Sequence, residues 1–245
     1  MRGQLDQPIA AGLHGSRKSL QQLRSWRHAI LSFMSDGVWL EDLKSRTGTI
    51  LDGQFDTIYH EHINFFSVRS MYQLARRNGL FLNHLSMPSI HGTSFVFELG
   101  LTNREDKSMF TALVREDLDI TREVFDTYAY NVHNQIDSFR RSVTALQEQG
   151  KTVIGYSAPA KGMTLLNAAG VHLEYLIDDN PLKAYKKAPG VETFVFPAAK
   201  LDKETRDLHI IILAWNFYDE IAAKIKQLRP DHNDIILTPF ELSQA

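Results

Sequence analysis

The chain has 245 residues, 43% of them hydrophobic and 23% charged, with a formal net charge of -2 and no cysteine; this is a globular composition with room for one large domain or two small ones. Lys and Arg are scattered rather than clustered, so nothing marks a nucleic-acid duplex or an anionic membrane as partner, and small molecules are favoured instead. The lack of cysteine excludes disulfides, thiolate zinc sites and a cysteine nucleophile and makes the cytoplasm the default compartment, while the absence of a signal-like N-terminus and of any run near the ~18 apolar residues of a membrane span leads one to expect a soluble protein.

Residues 1–18 mix Gly, Pro, His and Arg without periodicity and read as a loose arm. From Leu20, the apolar positions Leu23, Trp26, Ile30 and Phe33 follow helical spacing; Asp36-Gly37 then turns the chain into the short strand Val38-Trp39-Leu40. Trp26 and Trp39 sit in apolar patterns that suit a core. Ser67 to Asn78 reads as a short helix with Ser67 as N-cap and Gly79 as its stop. Strands follow at Leu80-Phe81-Leu82 and from Ser94 to Leu99, the second preceded by His91-Gly92-Thr93. Residues 108–149 read as one long helix, with Phe125, Tyr128, Val132, Ile136, Phe139, Val143 and Leu146 three or four apart. Beyond Gly150 an α/β alternation begins. Its strands are expected at residues 152–155, 173–177, 193–196, 208–213 and 235–237, with helices at 161–169 and 217–228, which is the pattern of a small parallel sheet.

Two constellations carry chemistry. Tyr59-His60-Glu61-His62 puts a phenol, two imidazoles and a carboxylate in consecutive positions among the aromatics between Phe55 and Phe66. Histidine titrates near neutrality and a carboxylate beside it can fix its tautomer and raise its basicity, so a general base is the natural reading. A metal site fits less well, because His at i and i+2 is not the i, i+4 helical spacing of zinc hydrolases and no cysteine can complete a site; hydrogen-bonded structural histidines are the plain alternative. The second constellation, Gly155-Tyr156-Ser157-Ala158-Pro159-Ala160-Lys161-Gly162, leaves a strand and opens a helix. Its small residues would let backbone amides approach a phosphate and Lys161 would add a cation, although a turn kept small for packing is the competing account. Asp178-Asp179 ends the next strand, where a ribose-binding acid often sits, but the Gly-x-Gly-x-x-Gly fingerprint of nicotinamide enzymes is absent. His91-Gly92-Thr93-Ser94 and Trp215-Asn216-Phe217 occupy loop positions next to strands, where a side chain can meet a ligand or merely cap a turn.

Taken in order, Phe55 to His62, His91 to Ser94, Gly155 to Gly162 with Leu165-Leu166-Asn167, Ile177 to Pro181 and Leu213 to Phe217 resemble the signature of S-adenosylmethionine-dependent sugar C-methyltransferases, over roughly residues 20 to 240. Members act on thymidine-diphosphate-linked 4-keto-deoxysugars and methylate the carbon beside the ketone. The resemblance implies an α/β fold in which a partial methyltransferase-type doubly wound sheet is joined by a long helix to a C-terminal Rossmann-like domain: residues 1–105 as an incomplete core with the Tyr-His-Glu-His motif, 106–150 as helical connector and 151–245 as the terminal domain. It implies His62 as base with Tyr59 and Glu61 beside it, and it places His60, His91, Ser157, Lys161, Asn167 and Asn216 toward the nucleotide-diphosphate sugar. Complete members begin with a cysteine-built zinc domain and a Gly-rich loop for S-adenosylmethionine, and neither pattern occurs here. The expectation is therefore a member lacking its N-terminal part, which works with a protein partner or by self-association, or else a non-catalytic nucleotide-sugar binding module. The family commonly has Gly where Ser157 stands, and Gly-Ser-Leu-Arg where this chain has Thr93-Ser94-Phe95-Val96.

Overall fold

The computed structural model describes residues 38–44, 50, 53–59, 65–86 and 94–242. They gather into two units, one holding the described residues up to 48 and from 64 to 121, the other those from 49 to 63 and from 122 onward. Among the described residues no helix is long and apolar enough to cross a membrane.

In the first unit β1 (Val38–Lys44), β2 (Phe81–Ser86) and β3 (Ser94–Gly100) form an antiparallel sheet in the order β1-β3-β2. This corrects the expectation of a doubly wound arrangement for the strands described here. Only residues 87–93 separate β2 from β3, far fewer than the dozen or more that a parallel crossover needs, so the pair must run antiparallel. α1 (Val68–Arg77) starts at Ser67, whose hydroxyl accepts from the Ser70 amide in a capping box. Its Val68, Met71 and Ala75 pack with Leu82, Phe97 and Leu99 and with Met109 of α2 (Lys107–Asp119) to form this unit's core. The α1 N-terminus is closed by Glu116 of α2, whose buried carboxylate accepts from the Val68 amide at 2.6 Å and the Arg69 amide at 3.3 Å.

The long helix expected over 108–149 is two helices, α2 and α3 (Arg122–Glu148), one in each unit. Ile120 leaves helical geometry with φ -106° and ψ 76°, and with Thr121 it forms a β-branched pair where side-chain crowding disfavours helix.

The second unit is a parallel five-stranded sheet in the order β6-β5-β4-β7-β8, built from β4 (Thr152–Tyr156), β5 (Leu176–Ile177), β6 (Val195–Phe196), β7 (Leu208–Ile212) and β8 (Ile235–Leu237). The strand order is Rossmann-like. Both faces are covered, and the side chains alternate between two cores accordingly. Val153 and Ile211 join Phe139 and Val143 of α3 and Met163, Leu165, Leu166 and Ala169 of α4 (Ala160–Ala169). Ile154, Tyr156, Ile210 and Ile212 face Ala222 and Ile225 of α5 (Tyr218–Leu228) on the other side.

Helix α4 lies close to the sheet because two glycines leave room for it. A Cβ on Gly162 would stand 2.8 Å from the Leu213 Cβ and 3.3 Å from the Pro159 Cδ; one on Gly155 would meet the Leu176 Cδ2 at 2.5 Å. Helix propensity alone would favour Gly162→Ala by about 1 kcal/mol, but overpacking against an atom fixed to the backbone costs roughly 1–3 kcal/mol. The substitution is therefore expected to lower the urea midpoint of the chain; a raised midpoint would show that α4 can move off the sheet.

Candidate functional site

Strand β4 leads to β5 on one side and is flanked by β7 on the other, so the chain reverses direction across the sheet between β4 and β7. Open parallel sheets bind ligands in the crevice outside the carboxyl ends of their strands at such a switch point. Here that crevice lies between the turn after β4, residues 157–159, and the turn after β7, residues 214–217. Both turns were singled out by sequence, and the fold brings them together.

The first turn is held by its own backbone. The Ser157 amide donates to the Ile177 carbonyl at 2.6 Å, the Tyr156 carbonyl accepts from the Leu213 amide at 2.9 Å, and the Ala158 amide donates to the Asp178 carboxylate at 2.7 Å. Ser157 has φ 71°, the left-handed region where a Cβ costs about 1–2 kcal/mol. That geometry gives a physical reason for the glycine that the resembling family commonly has there.

Asp178 is buried and fully engaged. Besides Ala158 it accepts from the Asn180 amide at 2.9 Å and from Lys183 Nζ at 2.9 Å, and the same ammonium reaches the Ala158 carbonyl at 3.1 Å. Burial pushes its carboxyl up, but the Asn180 amide, the Lys183 ammonium and the Ala158 amide together outweigh burial and hold it below the usual aspartate range. Next to it Asp179 receives Lys224 Nζ at 2.6 Å and the Tyr156 hydroxyl at 3.3 Å. Burial raises the Tyr156 pKa, with the Lys224 hydrogen bond opposing.

Lys161, in the first turn of α4, points to the crevice: its Nζ is 5.6 Å from the Trp215 ring centroid, and Trp215 meets Phe240 edge-on at 5.1 Å. The same Nζ lies 3.6 Å from Asp56 Oδ2. Asp56 belongs to the segment that leads into the Tyr-His-Glu-His motif. Phe55 before it enters the core with α3 and α4, Thr57 after it is fully buried, the Ile58 amide closes a turn onto the Phe55 carbonyl at 2.9 Å, and the Tyr128 hydroxyl donates to the Gln54 carbonyl at 3.3 Å. Tyr59, half-buried, is the motif's described member, while His60, Glu61, His62 and His91 lie outside the described residues.

Asn216 is exposed at the mouth of the second turn. Asn167 is elsewhere, about 9 Å further along α4 than Lys161 at 1.5 Å per residue. Its amide nitrogen donates to the Met163 carbonyl at 2.7 Å and the Pro189 carbonyl at 2.9 Å. Its Oδ1 would lie 1.9 Å from a Cβ on Gly190, whose φ of +77° also calls for glycine. Asn167 thus clamps the 189–190 turn and is not brought to the crevice.

These contacts decide what the turn after β4 can hold. Gly155 and Gly162 face leucines, the Ser157 and Ala158 amides are satisfied within the protein, and the acid at the end of β5 is tied to Lys183. With the acid at the end of β5 so engaged, the turn lacks the free ribose acid of a dinucleotide site, although the first turn of α4 carries no side-chain cap on its amides. Around the crevice, Ser157 of the first turn and Trp215 and Asn216 of the second are the side chains a ligand would meet, beside the uncapped amides that open α4. Sequence reasoning missed Asp56, Lys183 and Lys224. Asp56 alone carried a signal, a carboxylate directly after Phe55 at the head of an aromatic run.

Comparison with known proteins bears on this geometry. The family model described as C-methyltransferase C-terminal domain matches residues 89–239. A model of the FHA domain matches residues 21–64, a short stretch that is mostly outside the described residues. The chain is 28% identical over 213 residues to the C-methyltransferase NovU of Streptomyces niveus, covering 82% of this chain and 50% of that protein, so it spans about half the length of the relative.

Because the Asp178 carboxyl is held below its ordinary value, its contribution is complete above the unfolded pKa of about 4 and is lost as pH falls through the lowered value. Asp178→Asn is expected to lower stability at pH 7 by roughly 1–3 kcal/mol, and its deficit relative to the parent should shrink at pH 3. Urea midpoints at the two pH values check this; a deficit that stays constant with pH would mean the carboxylate charge contributes nothing.

Proposed function

This chain belongs to the family of C-methyltransferase C-terminal domains, and from that premise we propose that it provides the acceptor side of a sugar C-methyltransferase. The observation that carries the reading is the convergence, at one switch point, of the turn after β4, the turn after β7 and the segment opening the Tyr-His-Glu-His motif. The acceptor is a nucleotide-linked 4-keto-deoxysugar. Its ketone acidifies the neighbouring carbon because loss of that proton leaves an enolate, so the site needs one base and donors for the enolate oxygen. His62 is the proposed base, Glu61 fixes its imidazole, and Tyr59 supplies a hydroxyl beside it. Ser157 and Asn216, with His60 and His91, are assigned to the nucleotide and sugar, and Lys161 borders them while paired with Asp56. S-adenosylmethionine is the methyl source of this reaction class; the turn after β4 lacks a free ribose acid, and the donor's site is assigned to a different segment or a partner chain. A cytoplasmic location accords with the absence of cysteine.

Proton abstraction can be tested without a methyl donor. The full chain incubated in deuterium oxide with a thymidine-diphosphate 4-keto-deoxysugar is expected to exchange the proton beside the ketone faster than buffer, and His62→Asn should reduce that rate by about 10²–10⁴-fold. Mass spectrometry of the recovered sugar reads both. Calorimetry with the same sugar nucleotide and with S-adenosylmethionine then separates two cases: acceptor binding without exchange indicates a binding module, and donor binding indicates a self-sufficient enzyme. If the sugar nucleotide neither binds nor exchanges, the reading is lost.

A further inference from the structure

We propose that Asp56, held by Lys161, is a positioning residue that fixes where the proton-abstracting segment leaves the C-terminal sheet. The inference rests on the functional reading above for its chemistry, but its geometry stands alone. Residues 53–59 contain one carboxylate, and it is buried at 6% exposure between Phe55 at 8% and Thr57 at 0%. A carboxylate in such a place is costly unless it is paired. Its partner Lys161, 3.6 Å away, is only partly exposed and belongs to the first turn of α4, whose seat on the sheet is set by Gly162 against Leu213. The Lys161 ammonium also lies 5.6 Å from the Trp215 ring centroid, and that ring is braced by Phe240. A chain of contacts thus runs from Phe240 through Trp215 and Lys161 to Asp56, three residues before Tyr59 and six before His62. With Phe55 in the core and the Gln54 carbonyl bonded to Tyr128, the segment entering the motif is fixed at three points.

Lys161 had an obvious alternative use, as a cation for the sugar nucleotide's diphosphate. The buried carboxylate beside it assigns it to the motif segment instead. An anion at the crevice would have to compete with Asp56 for the same ammonium, and Asp56 is already desolvated there. Misplacing a general base by about an ångström can cost roughly a hundredfold in rate while leaving substrate affinity intact. A lost phosphate contact does the reverse.

The test uses the full chain with Asp56→Asn, Lys161→Met, the double substitution and Lys161→Arg. Histidine ring resonances of His60 and His62, assigned with His60→Gln and His62→Asn, are followed by NMR alongside those of His172 and His209, which belong to the terminal sheet domain. Both single substitutions are expected to shift the His60 and His62 resonances and leave His172 and His209 in place. Deuterium exchange should fall about ten- to a hundredfold, with KM for the sugar nucleotide changed by less than about twofold. The double variant should be no worse than either single one, because both break one contact, and Lys161→Arg should recover part of the rate. Unmoved His60 and His62 resonances overturn the proposal, as does a Lys161→Met variant that loses affinity while keeping its turnover. If the parent chain shows no exchange but the imidazoles still respond to Asp56→Asn, the positioning role stands and the methyltransfer reading falls.

Discussion

The close approach of Leu213 to Gly155 and Gly162 is the constraint on which the crevice depends. Two missing side chains on β4 and α4 let one leucine at the end of β7 seat itself between them, with would-be contacts of 2.8–3.0 Å. That seat fixes the height of α4 above the sheet and the rotation of its first turn. Ser157 must then turn through the left-handed region to connect strand and helix, and Lys161 comes to face Trp215 across the switch point. Interiors are packed densely enough that a single methylene at this contact would move the helix rather than be absorbed.

The polar groups around this seat are committed to one another. Asp178 collects two amides and an ammonium, Asp179 collects Lys224 and the Tyr156 hydroxyl, and the amides of Ser157 and Ala158 are spent inside the domain. A cofactor-binding sheet of this topology keeps such groups free for pyrophosphate and ribose. The terminal domain has the strand order of a nucleotide-binding fold, with the acid after β5 tied to Lys183 and the segment from Gln54 to Asp56 joined to α3 and α4. The match of the C-methyltransferase C-terminal domain model to residues 89–239 covers nearly all of this sheet domain.

Much of the fold could be read in advance. Ser67 as a cap, the break at Gly79, and the β-branched runs at 152–156 and 208–212 all follow from local chemistry, because propensity and burial pattern point the same way there. The half before residue 105 was harder. Its strands were located, but their antiparallel pairing follows from the short link between β2 and β3 rather than from any residue, and resemblance to a doubly wound fold led the other way. The division at Ile120 was likewise hidden by a hydrophobic periodicity that runs on through α3.

Sequence by itself determined the family and the chemical vocabulary. Tyr59-His60-Glu61-His62 sets a phenol, two imidazoles and a carboxylate in consecutive positions, and ordered motifs identify a C-methyltransferase relative. Tertiary structure decided who touches whom. It joined Asn167 to the Pro189-Gly190 turn, Asp178 to Lys183, and Lys161 to Asp56, more than a hundred residues earlier in the chain. The reason is physical: residue type fixes what a side chain can donate, accept or ionise, but the partner that claims it is set by which strands lie side by side, and that is a property of the assembled sheet.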